Sequence, residues 1–136
     1  VPTVRRYVES FREKNDIETH IEIYNEDRRL ENYREVMIFR SIQDLMAMAR
    51  DYAAPTDVRI SLDMSDNPIG IVVSDDGRGF NANAIFDENS DEVSSDARVQ
   101  ALRMLKSKFE LVGGTISVIS EESSGTTVRL ALPLDD

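Results

Sequence analysis

The sequence contains no cysteine, no long apolar run and no excess of basic residues. The absence of cysteine excludes disulfide bonds and thiolate metal sites. No apolar stretch approaches the length that spans a bilayer, and the N-terminus has no signal-peptide pattern. The formal net charge of −10 argues against non-specific nucleic-acid binding, which requires a basic face. It does not argue against a small anionic ligand, which needs only local donors.

The composition is that of a globular protein, with 40% hydrophobic and 31% charged residues in a chain of 136. This length fits one domain with a hydrophobic core, so residues 1–136 are expected to form a single domain. The chain begins with Val1 and not with methionine, and we therefore expect it to be part of a longer protein. We expect a cytoplasmic domain, in a parent chain that is either membrane-anchored or soluble.

Apolar residues recur at helical spacing in three segments, residues 3–14, 31–53 and 97–112. Alternating or short apolar runs predict five strands, at residues 17–24, 57–63, 69–73, 115–119 and 126–132. The nearly continuous apolar character of residues 69–73 predicts a central strand.

His20 lies on the polar phase of its strand and is predicted to be a surface residue. The polar residues 81–96 are predicted to form a mobile loop. The order α β α β β, loop, α β β predicts an α+β fold, a two-layer sandwich. Its mixed sheet of about five strands would be covered on one face by three helices.

The third predicted strand runs into the sequence SDDGRGF, residues 74–80. Two carboxylates followed by two glycines at the end of a strand are compatible with an ordinary turn and also with the floor of a nucleotide site. Asp-x-Gly-x-Gly alone is a weak motif, and these residues leave both interpretations open.

Two further motifs follow in order, ELVGGTISV at residues 110–118 and SSGTTVRLALPL at residues 123–134. With SDDGRGF, they resemble the ATP-binding domain of two-component sensor histidine kinases, in the GHKL ATPase superfamily, over essentially the whole chain. The resemblance implies a Bergerat-type sandwich that binds ATP or ADP and acts in signal transduction by presenting ATP to a histidine on a separate dimerisation domain. The implied partners are that phosphoacceptor domain, a response regulator and a second copy of the parent chain.

The resemblance assigns the adenine end of the site to residues of these motifs. Asp75 is implied to accept a hydrogen bond from the adenine amine. Gly77 and Gly79 are implied to let the backbone approach the nucleotide without a Cβ in the way. Gly125 and Thr127 are two further candidates for nucleotide binding, and Thr127 is implied to lie near the adenine and to support Asp75 or a bridging water.

The phosphate end departs from the family pattern on the long helix. Asp44 stands at the position of the family's general-base Glu, and is the candidate catalytic residue. Met48 stands at the position of the Mg²⁺-binding Asn, although a thioether is a poor ligand for this hard cation. Asp51 replaces a basic residue that contacts phosphate, and Tyr52 falls on a His or Tyr position and is a further candidate for nucleotide binding. Helical spacing places Met48 beside Asp44, so Met48 is predicted to line the pocket and not simply to belong to the core.

Ala101 and Met104 stand where the family has glycines that let a helix N-terminus close over the phosphates. The departures predict impaired Mg²⁺ binding and no metal site, and phosphoryl transfer depends on metal-assisted charge neutralisation. An active module that binds Mg-ATP and a degenerate module that acts as a regulatory or interaction scaffold both stay open. An unrelated α+β binding domain is a third possibility, in which the ordered motifs would be coincidental.

Overall fold

The computed structural model describes residues 2–25, 27–80, 97–121 and 123–134, and these residues form three helices and five strands. The elements are α1 (Pro2–Asn15), β1 (Glu18–Tyr24), α2 (Asn32–Tyr52), β2 (Asp57–Asp63), β3 (Ile69–Asp75), α3 (Ala97–Glu110), β4 (Thr115–Glu121) and β5 (Gly125–Leu132). The predicted elements are confirmed in type and order. The loop predicted at residues 81–96 lies outside the described residues.

The strands form one mixed sheet in the order β1-β2-β3-β5-β4. β1 and β2 are parallel, and α2 provides the crossover that parallel neighbours need. The other pairs, β2–β3, β3–β5 and β4–β5, are antiparallel. β3 is therefore the central strand, as its continuous apolar character predicted, and its C-terminal end carries the first two residues of the SDDGRGF motif.

The three helices cover one face of this sheet. Alternate residues of the three central strands are buried beneath the helices: Val58, Ile60, Leu62, Ile69, Ile71, Val73, Val128, Leu130 and Leu132. The opposite face is open, and it presents Arg59 and also His20, whose Nε2 lies 3.2 Å from Asp57 Oδ2. The predictions of a two-layer sandwich and of a surface histidine are confirmed.

The buried face of α2 is wider than the apolar spacing predicted. The helical spacing predicts a buried stripe of Val36, Phe39, Ile42, Leu45, Met46, Ala49 and Tyr52. Val36 and Tyr52 are instead 49% and 46% exposed, whereas Ile38, Ser41 and Met48, outside this stripe, are buried. The cause is that α2 contacts both neighbouring helices as well as β2 and β3, so more than one stripe of the helix is covered. Ser41 is accommodated because its hydroxyl donates a 2.6 Å hydrogen bond to the carbonyl one turn earlier.

Candidate nucleotide site

Asp75 is the last residue of β3, and it lies on the face of the strand that is covered by the helices. Its Oδ1 accepts a 2.8 Å hydrogen bond from the Gly77 N–H, which closes a short turn. Within the described part of the chain, no hydrogen bond is donated to Oδ2. Asp75 thus presents a half-buried carboxylate with one oxygen that accepts no hydrogen bond from the described residues.

Burial raises the pKa of Asp75, and the neighbouring charge of Asp76 acts in the same direction. The hydrogen bond from Gly77 and the positive charge of Arg98 oppose this increase. Desolvation makes a carboxylate a stronger acceptor for a ligand that brings its own donors, since water no longer competes for the oxygen. The chemistry of Asp75 therefore suits recognition of an amine or amide N–H.

Asp76 has a different role, because its side chain is turned away from the helix layer and is engaged with the connection between α2 and β2. Its Oδ1 accepts hydrogen bonds from the Thr56 N–H at 2.8 Å and the Asp57 N–H at 2.9 Å, and its Oδ2 accepts one from the Thr56 hydroxyl at 2.5 Å. These bonds, that of the Thr56 hydroxyl above all, lower the pKa of Asp76. The second carboxylate of the motif is a structural anchor.

Gly77 and Gly79 pack against the protein's own backbone. A Cβ on Gly77 would collide with the carbonyl of Ala53 at the end of α2, and a Cβ on Gly79 would collide with the carbonyl of Glu121 at the end of β4. The Arg78 N–H also donates to the Ala53 carbonyl, at 2.7 Å. The resemblance implied that the glycines leave room for a nucleotide, but in the structure the space that a Cβ would take is occupied by protein.

Thr127 does not lie beside Asp75. β3 and β5 pair Asp75 with Thr126 and Ser74 with Thr127, and the Thr127 and Ser74 hydroxyls are 3.2 Å apart. Successive residues of a strand point to opposite faces, so Thr127 is on the open face and the buried Thr126 shares the face of Asp75. Gly125 has φ +80°, and a Cβ there would collide with the Asp75 carbonyl. The expectation that Thr127 supports Asp75 is therefore wrong: the threonine on the face of Asp75 is Thr126, whose hydroxyl lies 2.8 Å from that of Ser120.

At the end of the site that the resemblance assigns to the phosphates, four of the residues singled out from the sequence line one cavity of about 120 Å³ between α2 and α3. The described residues that line it are Asp44, Leu45, Met48, Ala101, Leu102, Met104, Leu105 and Lys108. Met48 lines this cavity, as predicted, and at 8% exposure it also belongs to the hydrophobic core. The structure thus brings Asp44 and Met48 of α2 next to Ala101 and Met104 of α3.

Asp51 and Tyr52 do not line this cavity. Arg50 donates to both carboxylate oxygens of Asp51, from Nε at 2.8 Å and from Nη2 at 3.3 Å. This hydrogen bonding lowers the pKa of Asp51. Both Asp51 and Tyr52 are exposed on the last turn of α2.

Arg98, on the first turn of α3, is a residue of this region that the sequence reasoning missed. Its Nη1 donates to the Arg78 carbonyl at 2.8 Å and its Nη2 to the Gly79 carbonyl at 3.4 Å. Its guanidinium lies 4.5 Å from the centre of the buried Phe80 ring. Arg98 is 19 positions from Gly79, and no local motif marks it, so only the folded chain reveals the contact.

Residues 33–136 match the family described as histidine kinase-, DNA gyrase B-, and HSP90-like ATPases. The chain belongs to this family. The oxygen sensor histidine kinase NreB of Staphylococcus carnosus is 28% identical to this chain, in a match that covers 97% of this chain and 35% of NreB. The histidine-protein kinase/phosphatase DegS of Brevibacillus brevis is 21% identical over 98% of this chain and 32% of DegS. The predicted relationship to sensor histidine kinases is confirmed.

The domain spans about a third of the length of these curated relatives. Its fold is that of the histidine kinase domain from the Erythrobacter litoralis EL346 blue-light activated histidine kinase, with a TM-score of 0.67, 18% identity, and coverage of 96% of this chain and 59% of that one. Among the helices described, none is long and apolar enough to cross a membrane.

ATPases of this family bind ATP or ADP, generally with Mg²⁺, and the two ends of the site fit these groups differently. The adenine end offers the Asp75 carboxylate. Among the described residues that line the cavity, Met48 offers a soft thioether and Asp44 is the one carboxylate, a poor match for Mg²⁺, which prefers six hard oxygen ligands. The described residues contain no group of three or more acidic, histidine or cysteine side chains that could hold a metal ion.

Proposed function

We propose that this ATPase domain binds the adenine base of ATP or ADP through Asp75, and that it does so without Mg²⁺ and without efficient phosphoryl transfer. The observation that carries the proposal is Asp75 Oδ2, a half-buried carboxylate oxygen to which no described residue donates a hydrogen bond. An exocyclic amine is a donor of the kind that such an oxygen accepts.

The loss of metal binding is supported by the lining of the cavity at Met48. When bound, Mg²⁺ neutralises the phosphate charge in phosphoryl transfer. Among the described residues, apolar side chains and Lys108 make up the lining beside Asp44. We derive no catalytic step from Asp44, because the residues around it do not fit the metal.

In the whole protein, we propose that the domain works beside a dimerisation domain that carries a phosphoacceptor histidine, within a homodimer that signals to a response regulator. The relatives named histidine kinases support this setting. The domain would then act as a regulatory or scaffolding element that responds to the nucleotide. An active kinase module is the second candidate, and the observation in its favour is that Asp44 and Lys108 line the same cavity.

The test is calorimetric titration of the domain with adenosine, ADP and ATP, in EDTA and in Mg²⁺. We expect all three ligands to bind with affinities within about tenfold of one another, since the base provides the contact, and we expect Mg²⁺ to make no difference. Tight ATP binding that requires Mg²⁺ would refute the metal-independent part of the proposal and favour the active module.

Asp75→Asn is the matched variant for the base contact. The Asn oxygen can still accept from the Gly77 N–H, while its NH₂ group replaces the acceptor Oδ2 with a donor. We expect the loss of adenosine, ADP and ATP binding together, with the fold retained by circular dichroism. Unchanged affinity in this variant would show that Asp75 does not contact the base.

A further inference from the structure

The turn that follows β3 is held from two sides. Ala53, at the end of α2, accepts the hydrogen bond of the Arg78 N–H at 2.7 Å. On the other side, the guanidinium of Arg98, at the start of α3, donates to two backbone carbonyls of the turn, that of Arg78 at 2.8 Å and that of Gly79 at 3.4 Å. The turn that contains the Asp75–Gly77 hydrogen bond is thus clamped between the two helices.

The guanidinium of Arg98 is oriented by these contacts. Two of its N–H groups are directed at carbonyl oxygens of the turn, and its Cζ lies 4.5 Å from the ring centroid of Phe80. Phe80 is itself fixed, because it is buried and its N–H donates to the Ser120 hydroxyl at 2.9 Å. A planar cation held on a ring and on two carbonyls serves to fix a backbone segment, and Lys has no equivalent fork.

We infer that Arg98 is a positioning residue of the base-binding site, which fixes the turn from Asp75 to Gly79 on α3 and places a positive charge beside the Asp75 carboxylate. The inference rests on the proposed function, in which Asp75 contacts the base. It also links α3 to the base: a nucleotide bound at Asp75 and the first turn of α3 share the same turn of backbone.

Electrostatics supports this assignment. Asp76 and Arg98 are the charged side chains, among the described residues, that act on Asp75, and they act in opposite directions on its pKa. Burial raises the pKa of Asp75, and Arg98 offsets part of that increase. Arg98 therefore helps to keep Asp75 ionised, the state in which it accepts a hydrogen bond most strongly.

The test uses Arg98→Gln, Arg98→Lys and Arg98→Ala, with Arg12→Gln as the control of equal charge change. Arg12 is an exposed residue of α1 whose ion pair is with Glu9. Adenosine affinity is measured from about pH 4 to 8, a range that covers carboxylate titration. We expect Arg98→Ala and Arg98→Gln to weaken binding roughly tenfold at neutral pH, the effect of one or two charge-assisted hydrogen bonds.

The pH profile separates positioning from a merely structural role. In Arg98→Gln, the midpoint pH below which adenosine binding is lost should move upward, and Arg98→Lys should return it toward the wild-type value. Wild-type affinity in Arg98→Gln, or weaker binding with an unmoved midpoint, would overturn the inference.

A second measurement needs no nucleotide and separates the two proposals. The side-chain ¹³C carboxyl resonance of Asp75, followed by NMR during a pH titration, should report a higher pKa in Arg98→Gln than in the wild-type and Arg12→Gln domains. An unchanged Asp75 titration would refute the inference about Arg98. A shifted titration without any adenosine binding by the wild-type domain would confirm the charge effect of Arg98 on Asp75 and refute the proposed function.

Discussion

Met48→Asn, combined with Asp51→Lys, restores the residue types expected at a metal and phosphate site and gives the most demanding test of the phosphate end. Met48 is 8% exposed and packs between α2 and α3. Fully burying a methionine contributes about 1.5–3 kcal/mol, and a buried amide without partners costs about 1–3 kcal/mol. The adjoining cavity of about 120 Å³ gives the new amide access to water, so the cost of burying the amide should be near the lower value of about 1 kcal/mol.

The expected loss of stability is therefore about 2–4 kcal/mol, which corresponds to a decrease of roughly 10 °C in the melting temperature. The same variant should gain what the wild-type domain lacks, because the introduced asparagine would supply an oxygen ligand for Mg²⁺ and the introduced lysine a cation for phosphate. We expect ATP to bind at least about tenfold more tightly in Mg²⁺ than in EDTA.

Thermal melts and calorimetry with ATP measure the two effects, and Met46→Asn is the matched control. Met46 is completely buried on the same helix but does not line the cavity, so its replacement should destabilise the domain at least as much without any response to Mg²⁺. The reasoning is refuted if the double variant is as stable as the wild type, or if its ATP affinity is the same with and without the metal.

Two further predictions concern the SDDGRGF motif. Asp76→Ala should lower the free energy of unfolding by about 1 kcal/mol at pH 7, after allowance for the exposure of this carboxylate. Because the folded state lowers the pKa of Asp76, this stability is present above the carboxyl's unfolded pKa and is lost as the pH falls through its folded pKa. Urea unfolding should therefore show the difference from wild type shrinking in acid, and a constant difference would contradict the assignment. Gly79→Ala should lower the free energy of unfolding by about 3 kcal/mol, because the new Cβ would collide with the Glu121 carbonyl. Gly70→Ala should lower it by less than about 1 kcal/mol, because the nearest atom to its new Cβ would be 3.9 Å away. Equal losses in the two glycine variants, again by urea unfolding, would disprove the proposed backbone contact.

The parts of the fold that could be predicted depend on local periodicity. In α3 the apolar residues recur at helical spacing, and in β2 apolar and polar residues alternate, because each element buries one face. Both patterns can be recognised within a few neighbouring residues of the sequence. The helix α2 was predicted with the middle of its buried stripe, at Ile42, Leu45, Met46 and Ala49, but the full extent of the buried face depends on which elements pack against it. Ser41 and Met48 are buried by contacts that the helix's own sequence does not record.

The site was less predictable than the fold for a related reason. Thr126 and Thr127 are chemically identical, and only the pairing of β5 with β3 decides which of them shares a face with Asp75. A slip of one residue exchanges the two faces of a strand. Arg98 reaches the turn from a helix 19 residues along the chain, a contact set by how α3 is docked. Motif matching locates a position along the chain, but sheet register and helix docking determine what that position faces.

The structure also changes what preservation of the SDDGRGF motif implies. Asp76 anchors the start of β2, and Gly77 and Gly79 are in contact with carbonyls of α2 and β4. A fold of this kind would require these three residues even if it bound no nucleotide. Asp75 differs, because no described residue donates to its Oδ2, and leaving a half-buried carboxylate oxygen without a donor is unfavourable. The nucleotide hypothesis therefore depends on one oxygen atom more than on the motif as a whole, and Asp75→Asn tests it more directly than replacement of either glycine.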